Sequence, residues 1–207
     1  MIRLGYAAEN VDLKEHGTRV SRTMRLKTLQ ENPAAAQEAA LANLRDMFNI
    51  LKDNERNGIK FYRMSSNMFP HITNYHYIAH LGGDPGGVEL AYSIDFAKPL
   101  VREIAEWARA HGHRLTMHPD PFISLGSYSP QVVINGIREL KYHADFMDLM
   151  GLDLDSVFIM HGGGAYGNKR ETIERWIEVF QRLPDNVKRR AALENDEFTY
   201  SIDDIIY

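Results

Sequence analysis

Three segments of the chain share one pattern: an apolar run, then a side chain that metals favour, then a turn. They are Arg114-Leu-Thr-Met-His118-Pro119, Val157-Phe-Ile-Met-His161-Gly-Gly-Gly164 and Ala191-Ala-Leu-Glu194-Asn195-Asp196. A buried strand ending in His or Glu sets that side chain at the mouth of a parallel sheet, where α/β barrels build their active sites. One strand-end histidine is usually a satisfied structural group. Three such strands in succession, separated by helical segments, point to two imidazoles and a carboxylate converging on a divalent metal.

The rest of the chain alternates in the same way. Strands are expected at Ile2–Ala8, Ile59–Ser66, Arg114–His118, Val157–His161 and Arg190–Asn195. Between them, Asn32-Pro33 opens a helix with Ala40, Leu44, Met47 and Leu51 at helical spacing, stopping at Asn57-Gly58. A second helix spans about Asp95 to His111, turns Leu100, Ile104 and Trp107 inward, and has Gly112 just past its end. A third starts at Ser129-Pro130, carries Val133, Ile137, Leu140, Ala144 and Met147, and ends at Gly151. A fourth covers roughly Arg170–Leu183, and Ser201-x-x-Asp204 reads as a capping box for one more. The glycine-rich connection Asn67–Tyr92 is expected to be a mobile surface loop.

About five βα units in series imply parallel strands with right-handed crossovers in a single domain over residues 1–207. An open doubly wound sheet would carry a glycine fingerprint after its first strand, and none is present. A (β/α)8 TIM barrel typically takes about 250 residues. Five units therefore fill only its N-terminal portion, and a chain stopping at Tyr207 inside a freshly capped helix is expected to lack the C-terminal strands and helices. Such a chain alone is expected to be weakly stable and to have little activity.

Composition narrows the chemistry. With no cysteine, disulfides and thiolate metal sites are excluded, and a reducing compartment is the simpler expectation. There is no signal-peptide pattern and no apolar run of membrane-spanning length. A net charge of −4 requires any nucleic-acid surface to be local, and Arg19, Arg22, Arg25 and Lys27 form one basic run after the first strand.

Arg3-Leu-Gly-Tyr6…Glu9-Asn10, Tyr62-Arg-Met-Ser-Ser-Asn-Met-Phe-Pro70, Met117-His-Pro119, Leu140-Lys-Tyr-His-Ala144, His161-Gly-Gly-Gly-Ala-Tyr-Gly167 and Leu193-Glu-Asn-Asp196 together resemble the UV damage endonuclease family. The likeness runs along the whole chain in order. It implies a xylose-isomerase-like barrel of the endonuclease IV type and a metal-dependent DNA repair enzyme that nicks the backbone 5′ to UV photoproducts. It further implies His118, His161 and Glu194 as metal ligands and catalytic residues, with Mn²⁺ as the metal, up to three ions in a complete barrel. Tyr6 and Asn10 match positions near the lesion and the scissile phosphate. The implied partner is double-stranded DNA containing UV lesions, bound by a monomer with no membrane association; the implied location is cytoplasmic, nucleoid-associated in a prokaryote.

Two departures stand out. Where many members continue His-Pro with Gly-Gln and an aromatic, this chain reads His118-Pro-Asp120-Pro121-Phe122, so an apolar Pro121–Phe122 wedge replaces hydrogen-bond probing of the lesion. The remaining family ligands would lie past Tyr207. Local alternatives are an ion pair of Glu194 with Arg189 or Arg190, a structural role for His143, and supporting or solvated roles for His71, His76 and His80. Gly162–Gly164 would cradle a phosphate or allow tight packing. Arg22 and Arg25 are expected to contact phosphates. The rival functions are a sugar isomerase or epimerase on the same barrel and a metal-free binding module. Exposed aromatics and a basic loop favour the nuclease, whereas an enclosed pocket with several carboxylates favours the sugar enzyme.

Overall fold

Five parallel strands lie side by side in the order in which they occur in the chain, as seen in a computed structural model that describes residues 2–195 and 199–206. The elements are β1 (Gly5–Ala7), α1 (Val11–Glu15), α2 (Leu26–Glu31), α3 (Ala34–Arg56), β2 (Phe61–Met64), α4 (Tyr75–His80), α5 (Lys98–Ala110), β3 (Arg114–Met117), α6 (Pro130–Met150), β4 (Phe158–His161), α7 (Lys169–Gln181), α8 (Asp185–Arg190), β5 (Ala191–Glu194) and α9 (Ile202–Ile205); a 3₁₀ turn, Asp95–Ala97, leads into α5. A doubly wound sheet reverses its strand order at a switch point. Here the order never reverses, so right-handed crossovers put every connecting helix on one face. That is the wall of a (β/α)8 barrel, with α3, α5, α6 and α8 packed as its outer layer.

The helix signals come from spacing and caps. Ala40, Leu44, Met47 and Leu51 of α3 are fully buried, and the helix stops at Asn57 with Gly58 at φ +70°. In α6, Leu140, Ala144 and Met147 are fully buried, and Gly151 ends it in the left-handed conformation at φ +68°. The Ser201 capping box forms: the Ser201 backbone N–H donates to Asp204 Oδ2 at 2.7 Å, and both reciprocal bonds are present. Between sheet and helices, Phe69 meets Phe146 edge-on at 5.2 Å, with Tyr142 and Phe158 buried nearby.

Two expectations change. The first strand pairs only over Gly5–Ala7, and Ile2 and Leu4 stand exposed. Gly5 lies so close to Phe61 that a Cβ there would sit 2.2 Å from the ring, and Ala8 turns the chain away at φ +54°. The 67–92 connection is a surface loop only in its glycine-rich part, where residues 79–84 are exposed. It buries Met68, Phe69, Ile72, Tyr77 and Ile78 and contains α4, capped by Asn74. Arg138 of α6, fully buried, binds it down by donating to the carbonyls of Thr73, Pro85 and Gly87. Those apolar positions follow neither a period of 2 nor of 3.6, so sequence spacing does not register them. The short helices α1, α2, α4 and α8 escape notice for the same reason.

Candidate metal centre

The position of each candidate ligand follows from strand length and register. β4 ends on His161 and β5 ends on Glu194, and the two residues are direct register partners; His118 is the residue after β3. Parallel pairing therefore delivers all three to the same C-terminal edge of the sheet. One ligand atom from each lies within 4.8 Å of the others. Glu194 Oε2 is 3.4 Å from His118 Nε2 and 3.7 Å from His161 Nδ1, and the two rings meet edge-on with centroids 4.9 Å apart.

Nitrogen and oxygen ligands at about 2.0–2.2 Å from one ion, subtending roughly 90–110°, are about 3.0–3.5 Å apart. The two Glu194 distances lie near that range, while the set as a whole spans up to 4.8 Å and must contract to share one cation. The tautomer suits a shared cation. His118 Nδ1 is 2.9 Å from the Pro119 carbonyl, a pure acceptor, so Nδ1 carries a proton and Nε2 is the nitrogen turned toward Glu194. The side chains of His118, His161 and Glu194 are 18, 38 and 45% exposed, so the centre opens to solvent instead of lying in a closed cavity.

The competing ion pairs are absent among the described residues. Arg190 binds Asp148 Oδ1 at 2.8 and 3.0 Å, and Arg189 Nε donates to the Asp185 carbonyl at 3.3 Å, which leaves neither for Glu194. Asp196, the last residue of the Leu-Glu-Asn-Asp motif, lies outside the described residues.

His143 is placed as a structural group. Its ring is fully buried, Nδ1 donates to the Glu139 carbonyl at 2.8 Å, and burial pushes its pKa down to about 4, helped by the charge of His118. Beside it, burial pushes the Glu139 carboxyl up to about 7 against a Thr73 hydroxyl bond, with Asp120 adding repulsion. The folded state thus holds the Glu139 proton above pH 4.5, where the unfolded chain releases it, and the stability this confers is lost as pH rises through about 7. Glu139→Gln is accordingly expected to gain thermal stability relative to the parent on going from pH 5 to pH 8. A difference in melting temperature that stays flat with pH would refute the buried-proton assignment.

The remaining candidates divide. Phe122 stands 85% exposed on the turn that follows His118-Pro119, with Pro121 exposed beside it. Tyr6 and Asn10 do not join the cluster: Tyr6 Oη donates to Asn54 Oδ1 at 2.7 Å, Asn10 Nδ2 donates to Tyr6 Oη at 3.0 Å, and Asn10 Oδ1 caps α1. Arg22 Nη2 pairs with Asp46 Oδ2 at 2.6 Å, while Arg25 is exposed and has no ion pair among the described residues. His71 supports the 67–92 connection through the Met24 carbonyl at 2.7 Å. Gly162 and Gly163 are packing glycines, since Cβ atoms there would lie 2.6 Å from the Tyr200 ring and 2.4 Å from Ser124 Oγ. The sequence did not reveal the ordered rim around Ser124, Tyr128, Tyr166 and Arg175, because it is built from turns and positive φ, which leave no periodic trace.

A one-directional parallel barrel wall whose C-terminal edge gathers two imidazoles and a carboxylate defines a (β/α)8-type barrel protein with a candidate metal site. The chain belongs to the UV-endonuclease UvdE family, whose profile matches residues 2–207. It is 42% identical over 209 residues to a putative UV-damage endonuclease of Acanthamoeba polyphaga mimivirus, covering all of this chain and 60% of that protein. It is 34% identical to the UV DNA damage endonuclease of Bacillus mycoides, covering 97% of this chain and 61% of the relative. The crystal structure of SacUVDE superposes with a TM-score of 0.83 at 28% identity, covering 99% of this chain and 64% of the other. The chain thus spans about 60% of the length of these bacterial and viral relatives. Among the described residues, no helix is long and apolar enough to cross a membrane.

Proposed function

We propose that the chain is the N-terminal portion of a single-domain, metal-dependent DNA repair endonuclease that nicks duplex DNA 5′ to UV photoproducts. The observation that carries this reading is the meeting of His118, His161 and Glu194 within 4.8 Å at the C-terminal edge of a UvdE-family barrel wall. These three residues would hold the divalent cation, with Mn²⁺ the expected ion for a nitrogen and oxygen donor set and further ions held only in a complete barrel. Such an ion, when bound, acidifies a water and neutralises phosphate charge.

The chain's own residues supply the rest. The Pro119 carbonyl fixes the His118 tautomer, and the exposed Phe122 and Pro121 wedge into the stack at the damaged step. Tyr6 and Asn10, bonded to each other and to Asn54 and Asp53 at the end of α3, would reach DNA only by leaving those partners. Arg25 contacts phosphate, as does Arg22 with part of its charge already shared with Asp46. A monomer acting in the cytoplasm at the nucleoid completes the proposal. The exposed Phe122 beside the centre and the UvdE-family match favour this reading over a sugar isomerase or epimerase.

The direct test is incision of a photoproduct-containing duplex with Mn²⁺, using this chain and a version extended to the relatives' length. A single nick on the 5′ side, abolished by chelation, is the expected result. Equal handling of damaged and intact duplex by both proteins would reject the proposal.

Phe122→Ala should weaken binding to the damaged duplex by roughly 5- to 150-fold, the range for one lost base–aromatic contact. An unaltered affinity would remove the wedge from the mechanism. Arg25→Gln should reduce the slope of log affinity against log salt by about one unit, and Arg22→Gln by less.

A further inference from the structure

Two tyrosines on the rim beside the metal centre are held firmly without being buried. Tyr128, in the β3–α6 connection, is 61% exposed, and Tyr166, in the β4–α7 connection, is 39% exposed. Their rings meet edge-on at 5.9 Å and 74°. The Arg175 guanidinium lies 3.9 Å from the Tyr128 ring centre and is itself fixed, donating to the Gly126 carbonyl at 3.1 Å and to Thr172 Oγ1 at 3.0 Å. Tyr166 Oη donates to the buried Ser124 Oγ at 3.0 Å. Ser124 in turn presses on Gly163, two residues after His161.

Core packing does not account for this. An exposed ring gains little from burial, yet Tyr166 occupies the left-handed region at φ +47°, where a non-glycine residue costs on the order of 1–3 kcal/mol. A cation over one face of Tyr128, a hydroxyl bond and a strained backbone hold in place two rings that are still 61 and 39% exposed. Pre-ordered rings of this kind bind flat partners without losing side-chain entropy at the moment of contact. The guanidinium adds positive charge at the same place, which suits a polyanion carrying flat bases.

We infer that Tyr128 and Tyr166, held by Arg175 and Ser124, form a stacking platform for an unpaired base of the bound DNA, separate from the Phe122 wedge. The inference rests on the nuclease reading and adds a second point of base contact on the β4 side of the metal centre. A duplex opened at a lesion supplies such a base, since damaged steps unstack most easily.

The test is fluorescence anisotropy of a photoproduct-containing duplex over a salt series, with the parent chain, Tyr128→Ala, Tyr128→Trp and His118→Ala. Tyr128→Ala should bind roughly 5- to 150-fold more weakly, Tyr128→Trp should restore affinity to within about threefold, and neither should change the salt slope, because no phosphate contact is lost. In the version extended to the relatives' length, His118→Ala should lose incision while Tyr128→Ala weakens binding, which separates the platform from the metal centre. Parent-like affinity of Tyr128→Ala, or a loss that comes with a shallower salt slope, overturns the platform and leaves the nuclease reading intact. A parent chain that binds neither damaged nor intact duplex overturns both.

Discussion

Glu194→Gln is expected to abolish metal-dependent incision, lowering the single-turnover rate by about 10³-fold or more, while leaving the fold intact. The size follows from the charge stabilisation a bound cation supplies to a phosphoryl transition state, several kcal/mol, with roughly 4 kcal/mol equivalent to about 10³-fold in rate. The intact fold follows from the position. Glu194 ends an exposed strand edge, has no arginine partner among the described residues, and faces only His118 and His161. Its thermal stability should therefore change by no more than about 0.5 kcal/mol. His118→Ala and His161→Ala should each approach the same loss, and the pairwise combinations should add little, as in groups that act as one unit. Mn²⁺ binding followed by electron paramagnetic resonance is an independent check on all three. If Glu194→Gln bound Mn²⁺ and cut as fast as the parent, the centre would have to be placed elsewhere.

Arg190→Met should be the most destabilising single change outside the apolar core, costing about 3–5 kcal/mol in urea unfolding. The guanidinium is nearly enclosed at the start of β5 and makes five hydrogen bonds: two to Asp148 Oδ1 at 3.0 and 2.8 Å, and one each to the carbonyls of Leu152, Asp153 and Ser156 at 2.8, 2.8 and 3.0 Å. Methionine fills part of the volume but satisfies none of these acceptors, and each buried carbonyl left unpaired costs about 1–3 kcal/mol. Asp148 is partly solvated, so it contributes less than a fully buried partner would. Among the described residues the neighbouring Arg189 side chain makes one hydrogen bond, to the Asp185 carbonyl at 3.3 Å, and Arg189→Ala should cost less than about 0.5 kcal/mol. Equal effects at the two positions would show that the cluster does not anchor β5. Because this cluster fixes the base of the strand that ends in Glu194, Arg190→Met should also weaken Mn²⁺ binding.

These two residues mark the boundary between what was legible in the sequence and what was not. His118, His161 and Glu194 could be selected from the sequence because a parallel sheet translates a strand-end position into a spatial one. Once three consecutive strands end in ligand side chains, the register places them on one edge, and it does so here through the His161–Glu194 pair. The helices α3, α5, α6 and α7 were legible because a period of 3.6 is written into their apolar residues and their caps. The exposure of Phe122 followed from its place in a proline-bounded turn.

Arg190 could not be read this way. Its sequence neighbourhood offered an ion pair with Glu194, one strand length away, but the guanidinium points to the opposite end of the strand, to Asp148 and the carbonyls after α6. Arg138, which gathers carbonyls of the 67–92 connection, and the Tyr128–Tyr166 rim are likewise products of tertiary contact. The sequence by itself determined the alternation of strands and helices, the barrel-wall order and the three strand-end residues that meet at one edge, because short-range periodicity and parallel register are local properties. Only the tertiary structure decided which long polar side chains close the connections and which aromatics remain outside. A flexible arginine or a turn-borne tyrosine can reach any of several partners, and the packed chain selects one.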